Sequence, residues 1–564
     1  MEYRINLDQV LEDVGPFGAF QKTFYFLLCL PCTLTAFVTL ASVFTAAIPP
    51  HRCFIPSCDT PNSTYKQAFD PGDPFATFSI PSGNQSGGFN SCQMYKVAPG
   101  TKEVCQADHF DLVETETCSR WVFDRSVYNS TLATDFDLVC DEAWQVPLGQ
   151  SVYFGGVLVG ALTFGILADY LGRKPCLMFA ILLSVVSSIA SGLAPNYPVY
   201  LAMNFLVAFG QLGLFQTAFI LSVENVGKDY RVFCSIIIEY FFVLGEILLT
   251  LVAYFVRDWR YVILYVMVPA VGFVFYWPIL PESVRWLLTQ RKYDKAQREV
   301  NRICRWNKTQ FIGLDDYKEQ VAENSLPNEG VLELLKSKVL VSRSINVCYC
   351  WFVVSMTFYG LSMNATSLAG DPFLNFLLVS LAEIPGYTLS YLSMERLGRR
   401  KSISISLLIG GVACIIGPFV PTDMEWLTIA LFLLGKMGVT CAFGTVYLFT
   451  SELYPTTLRT LGVGFSSMFG RIGAIISPEV ASLSLTAFWL PMVIFGGNAV
   501  FSGVIINFLP ETLGKELPDT IEDSLTLGQR VTRVGENTHV DEALDDDHSD
   551  GDEGDDDDQA PLLV

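Results

Sequence analysis

Gly165-Ile-Leu-Ala-Asp169-Tyr-Leu-Gly172-Arg173-Lys174 is answered later in the chain by Glu395-Arg-Leu-Gly398-Arg399-Arg400. The pair does not stand alone. Glu224-Asn-Val-Gly-Lys-Asp-Tyr-Arg231 has its echo in Glu452-Leu-Tyr-Pro-Thr-Thr-Leu-Arg459, and Pro281-Glu282-Ser283 has its own in Pro510-Glu511-Thr512. All three pairs keep their order at offsets of 226 to 229 residues, and each motif lies at the end of a long apolar run. Three echoes in register read as two parallel copies of one membrane half, a layout suited to rocking two bundles about a central site.

Composition agrees. Of 564 residues, 51% are hydrophobic, 13% aromatic and only 16% charged, with a mean hydropathy of +0.38. Soluble domains carry about a quarter of their residues as charges. The net charge of −21 is concentrated, because residues 536–558 hold 13 acids and no base. That run is a separate electrostatic object and points to no nucleic-acid partner. Apolar runs near the length of a bilayer span fall at 22–47, 145–168, 175–194, 198–223, 232–256, 259–280, 345–363, 372–394, 402–420, 426–450, 460–484 and 487–509. The fold expected is therefore all-α, with twelve transmembrane helices in the lipid bilayer. A segment at 1–21 precedes an N-terminal six-helix bundle at 22–280, whose first loop spans 48–144. A central segment at 281–344 leads to a C-terminal bundle at 345–509 and an acidic, disordered tail at 510–564.

Lys and Arg set the expected orientation. Arg173, Lys174, Lys228, Arg231, Arg396, Arg399, Arg400, Lys401 and Arg459 occupy alternate short loops, and the central segment adds seven more between Arg285 and Arg305. By the positive-inside rule these loops and both termini are cytosolic. The loop at 48–144 then faces an oxidising compartment. It holds six of the fifteen cysteines, Cys53, Cys58, Cys92, Cys105, Cys118 and Cys140, which suggests three disulfides of unspecified pairing. Asn62, Asn84 and Asn129 are glycosylation acceptors in the same loop. No metal site is expected: these cysteines lack C-x-x-C spacing, and His51, His109, His539 and His548 all lie outside the spans.

The repeated loops pair acids with bases. Asp169, Arg173, Glu224 and Arg231, with Glu395, Arg399, Glu452 and Arg459, are expected to form a cytosolic gate of charges, or else merely to fix topology. Ionisable residues inside the apolar runs carry more chemical information, since burying them is costly and they usually line a cavity. They are Glu239, Glu246, Glu383, Lys436, Arg471 and Glu479. Glu383 and Arg471 in different helices suit the two ends of a zwitterion, or neutralise each other as a structural pair.

The motif spanning Asp169 to Lys174, with its echo, resembles the signature loop of the major facilitator superfamily. The cysteine-rich loop, Pro281-Glu-Ser-Val-Arg-Trp-Leu-Leu288, Leu509-Pro-Glu-Thr512 and Asp13-Val-Gly-Pro-Phe-Gly-Ala-Phe-Gln21 resemble its organic ion transporter family up to about residue 525. Phe255-Val-Arg-Asp-Trp-Arg260, Gly435-Lys-Met-Gly-Val-Thr440 and the stretch from Ser466 to Pro478 resemble the carnitine and organic cation subgroup. The resemblance implies a substrate cavity lined by Phe215, Phe219, Phe242, Trp351, Phe358 and Tyr359, whose ring faces suit ammonium groups. It also implies a bias in ligand charge. The polyspecific cation carriers have aspartate at the Arg471 position, and the anion exchangers have lysine at the Tyr387 position. Glu383, Tyr387 and Arg471 together look like the carnitine type.

The function expected is secondary transport of small organic cations or zwitterions across the plasma membrane by alternating access. An organic anion exchanger is the alternative, and a non-transporting receptor or scaffold is a third reading. No nucleotide-binding loop or enzymatic constellation is present, so no cofactor is expected, and sodium or a counter-substrate would drive any concentration. The end, Asp558-Gln-Ala-Pro-Leu562-Leu563-Val564, resembles a signal for a sorting adaptor or a PDZ domain.

Overall fold

The computed structural model describes residues 3–56, 58–60, 63, 75–82, 90–97, 105–320, 336–455, 458–515, 518 and 521–526. Asn62, Asn84 and the acidic tail with its terminal Leu-Leu-Val lie outside them. Among the described residues, twelve long helices form two sets of six. The first set is α1 (Ala19–Leu40), α2 (Gln145–Leu171), α3 (Arg173–Gly192), α4 (Tyr197–Glu224), α5 (Arg231–Val256) and α6 (Trp259–Ala270). The second is α7 (Lys338–Asn364), α8 (Pro372–Arg396), α9 (Arg399–Ile416), α10 (Glu425–Leu453), α11 (Arg459–Ser482) and α12 (Leu490–Ile505). Among the described residues, eleven segments are long and apolar enough to cross a membrane. α11, which carries Arg471, Glu479 and several Gly and Ser, is the helix outside that group.

Helix packing repeats with the sequence. α3 lies along α4 as α9 lies along α10; α2 packs on α4 as α8 does on α10, α1 on α5 as α7 on α11, and α3 on α6 as α9 on α12. Among the contacts that join the sets are α2 with α11 and α5 with α8. Shifting the first-half number up by six and the second-half number down by six turns one into the other, so the halves are related by a pseudo-two-fold axis. Small residues allow the close approaches. A Cβ at Gly473 would meet the Phe352 carbonyl at 2.2 Å, and one at Gly470 would meet Ser355 Oγ at 2.8 Å, so α11 lies tight on α7.

One side of the molecule carries the loop between α1 and α2, here called the cap side. Strand β2 (His51–Cys53) pairs antiparallel with β5 (Trp121–Phe123), and β3 (Gln93–Val97) with β4 (Phe110–Thr117). Disulfides join Cys53 to Cys118, Cys58 to Cys105 and Cys92 to Cys140. Next to Cys53 and Cys58 in sequence, buried Arg52 donates to both oxygens of Asp59 at 2.7 and 2.8 Å, and Asp59 also accepts from the Ile55 N–H. The cap is fastened to the turn between α5 and α6 and to the start of α6. Asp135 accepts from Trp259 Nε1 at 3.0 Å and Arg260 Nε at 3.3 Å, and the N–H of exposed Asn129 donates to the Arg257 carbonyl at 2.8 Å.

The opposite, basic side has a strap that sequence reading treats only as a terminal segment. Strand β1 (Tyr3–Ile5) pairs with β6 (Lys318–Gln320), and helix Leu7–Val14 buries Leu7, Val10, Leu11 and Val14 against the central segment. Asn307 closes it, accepting from the Phe20 N–H at 2.8 Å and donating to the Val14 carbonyl at 3.0 Å. The Asn307-Lys-Thr sequon is thereby a structural tie.

Candidate functional site

The basic-side loops form two matching clusters. Gly172 and Gly398 precede α3 and α9 with φ of 108° and 92°, in the region that favours glycine. A Cβ there would strike Glu282 and Glu511 at 2.6 Å. Glu282 accepts from the backbone N–H groups of Arg173 at 2.9 Å and Lys174 at 3.1 Å, and Glu511 does the same for Arg399 at 2.8 Å. The Pro-Glu-Ser and Pro-Glu-Thr motifs therefore cap the helices that the glycines start, and a carboxylate suits the positive end of the helix dipole. Burial still pushes the Glu282 carboxyl above its usual range. Arg173 meets Glu224 at 3.3 Å, and Arg399 meets Glu452 at 3.1 Å. Ser283 and Thr512 donate to the same two glutamates.

These pairs lie within one half each. Arg231 does not pair with Glu224; it binds Asp8 of the strap, which Arg285 shares at 3.0 Å, while Lys228 meets Glu12 at 3.1 Å. Asp169 reaches Arg173 at 2.9 Å, but its side chain is 75% exposed. Glu395 is exposed, and Arg459 has two buried guanidinium nitrogens without hydrogen-bond partners among the described residues. Glu224→Gln should therefore lower turnover several-fold, whereas Asp169→Asn, at an exposed pair worth about 0–1 kcal/mol, should change it less than twofold. Uptake rate normalised to surface protein distinguishes them; equal losses would remove the distinction drawn from burial.

The halves touch on the cap side. Phe44 of the first half meets Phe373 and Phe376 of the second at 5.1 Å, and Ser151 donates to the Ile475 carbonyl at 2.8 Å. Further toward the basic side, Tyr240 and Thr388 share a hydrogen bond of 2.9 Å. Among the described residues no ion pair links the basic-side clusters of the two halves. The cap side is shut in this conformation.

Midway, an aromatic wall runs through neighbouring rings. Trp351 meets Tyr447 at 4.4 Å, Tyr447 meets Phe443 at 6.0 Å, and Phe443 meets Phe358 at 5.1 Å. Phe358 then meets Tyr359 at 5.3 Å, and Tyr359 meets Phe154 of the other half at 4.8 Å. Trp351, Phe358 and Tyr359 thus come together. Phe215 and Phe219 stack on each other at 6.5 Å, and Phe242 is buried in α5; among the described residues no ring contact joins these three to the wall. Sequence reading missed Phe443 and Tyr447. The available signal was their spacing from Lys436, which places all three on one face of α10.

Arg471 is half-buried beside this wall, facing Tyr447 and Tyr359. Its Nη1 donates to the Ser467 carbonyl at 2.9 Å, while Nε is buried without a hydrogen-bond partner. No carboxylate among the described residues lies within ion-pair distance of it. Glu383 is not its counterpart. Fully buried Glu383 stands 2.8 Å from the Nζ of fully buried Lys436, which also donates to Ser362 Oγ at 2.7 Å and to the Phe358 carbonyl at 3.2 Å. The same Nζ lies 3.3 Å from the centre of the Phe358 ring. That ring face is taken by the chain's own ammonium. The partly exposed acid near the wall is Glu239, which neighbours Tyr387, Tyr447 and Tyr359.

Comparison with known proteins places these features. Residues 113–522 match the family described as "Sugar (and other) transporter". An organic cation transporter protein of Drosophila melanogaster is 34% identical over 93% of this chain and 95% of its own. Organic cation/carnitine transporter 2 of Homo sapiens is 32% identical over 92% and 94%. Among solved structures, the xylose transporter XylE from E. coli in a partially occluded inward open conformation aligns with a TM-score of 0.55 at 14% identity, covering 88% of this chain and 100% of that one. At that identity the likeness is one of fold.

Proposed function

Since the chain belongs to the organic cation and carnitine transporter family of the major facilitator superfamily, a family of secondary transporters, we propose that its substrate is a small zwitterion bearing an ammonium and a carboxylate. Carnitine and amino-acid-like amines fit that description. The observation that supports this is Arg471, a guanidinium beside an aromatic wall with no acidic partner among the described residues. A carboxylate would neutralise Arg471, and the ammonium end would sit against Tyr447, Trp351 and Tyr359 with Glu239 as its counter-charge. This assigns the acidic role to Glu239 rather than to Glu383. Phe215, Phe219 and Phe242 are left as outlying cavity residues.

The protein works in the plasma membrane with both termini and the central segment cytosolic, its cap extracellular and glycosylated at Asn62, Asn84 and Asn129. The substrate is moved unchanged, in exchange or with an ion such as sodium. The tail serves sorting, through an adaptor or a PDZ domain. Alternating access opens the side shut here as the basic-side clusters of the two halves come together. A simple anion would leave Glu239 uncompensated, so the exchanger reading is set aside.

Radiolabelled carnitine, tetraethylammonium and an aromatic carboxylate, offered to one expressing cell line with and without sodium, test the reading. Carnitine uptake should exceed that of the other two at equal concentration. Uptake of the aromatic carboxylate alone would return the exchanger. Failure to move any probe, with one stoichiometric protein partner bound to the tail, would favour a scaffold.

A further inference from the structure

Two acids and one base are sealed where the halves meet, and their charges do not cancel. Glu246 of α5 is 1% exposed, and Glu383 of α8 and Lys436 of α10 are 0%. Lys436 is committed to Glu383. Glu246 faces Glu383, Lys436 and Ser380, and its Oε1 is buried without a hydrogen-bond partner. With all three groups ionised the site would hold one uncompensated negative charge away from water, at a cost of several kcal/mol. One proton held between the two carboxyl groups removes it, as in other sites where carboxylates share a pocket.

The position of the pair gives that proton a consequence. Glu246 belongs to one half and Glu383 to the other, and α5–α8 is one of the helix contacts that join them. Rocking that opens the cap side would part the carboxyl groups and hydrate them. Other titratable groups continue from the pair toward the basic side. Tyr387 stands one turn along α8 and faces Glu383, Glu246, Glu239 and Tyr359. Glu239 stands two turns along α5 and also has Cys32 of α1 nearby.

We propose that Glu246 and Glu383 form a proton-binding site, loaded when the cap side is open and emptied toward the basic side through Tyr387 and Glu239, so that transport is coupled to a proton. The shared carboxyl gives its proton to the Tyr387 oxygen as Tyr387 gives its own hydroxyl proton to the Glu239 carboxylate. Tyr387 ends neutral, and one proton has moved. The coupling rests on the transport reading above; the binding site does not.

Two measurements on the purified full chain separate these points. Infrared spectroscopy at neutral pH should show a protonated carboxyl band that Glu246→Gln removes and that Glu246→Asp, which keeps an acid, shifts. No difference between wild type and either variant overturns the site. In proteoliposomes enclosing a pH-sensitive dye, adding carnitine or tetraethylammonium should move the dye signal together with the probe. One pH unit of gradient should sustain up to about tenfold accumulation, and Glu246→Gln should abolish that dependence. Probe movement with no dye response overturns the coupling. If wild type moves neither probe, the transport reading fails and the infrared band alone decides the proton site.

Discussion

Arg471→Asp is expected to abolish selectivity for carboxylate-bearing substrates. In the native chain the guanidinium has a backbone carbonyl but no acid within ion-pair distance among the described residues. A substrate carboxylate would supply the missing charge, and a hydrogen bond to a charged group is worth about 1.5–3 kcal/mol. Carnitine affinity should therefore fall roughly ten- to a hundredfold. Tetraethylammonium uptake should hold or rise, because the variant offers a second acid near Tyr447 and Trp351 while Glu239 remains. Competition curves for the two ligands in the same cells, corrected for surface protein, make the comparison. Equal losses for both ligands in well-folded protein would make Arg471 a structural residue and remove the main support for a zwitterion.

The repeat architecture was legible because it is written in short local signals. Gly172 and Gly398 mark helix starts, and equal spacing of three motifs fixes two equivalent halves. The parts that sequence reading missed depend on how helices are rotated against one another. Glu383 and Lys436 lie 53 residues apart in sequence, and they meet because Gly386 lets α8 approach α10 at Thr440, where a Cβ would come within 2.8 Å. Nothing in the linear order says whether Glu383 turns toward Lys436 or toward Arg471. Gly470 and Gly473 flank Arg471 in sequence, but in the structure they let α11 lie against α7. Arg231 shares a repeated motif with Glu224, but its partner Asp8 comes from a strap that, among the described residues, the C-terminal half does not copy.

Lys436→Met is expected to have the largest effect on stability. Methionine fills a similar volume but removes the ammonium that faces Glu383, leaving Glu383 and Glu246 together in a site closed to water. Removing one member of a buried pair costs about 3–5 kcal/mol, because the other charge is left uncompensated. The variant should show a markedly lower melting temperature in detergent and little protein at the cell surface. Ser362 Oγ and the Phe358 carbonyl would also lose their donor, adding to the loss. The second substitution decides the cause. Lys436→Met combined with Glu383→Gln leaves Glu246 as the one acid of the three, neutral while it keeps the proton it shared with Glu383, so the double variant should recover most of the lost stability; buried ion pairs replaced as a unit are often tolerated. If the double variant is no more stable than Lys436→Met alone, the cost lies in packing against Phe358 rather than in charge. Recovered stability without recovered transport would show that the pair serves the transport cycle as well as the fold.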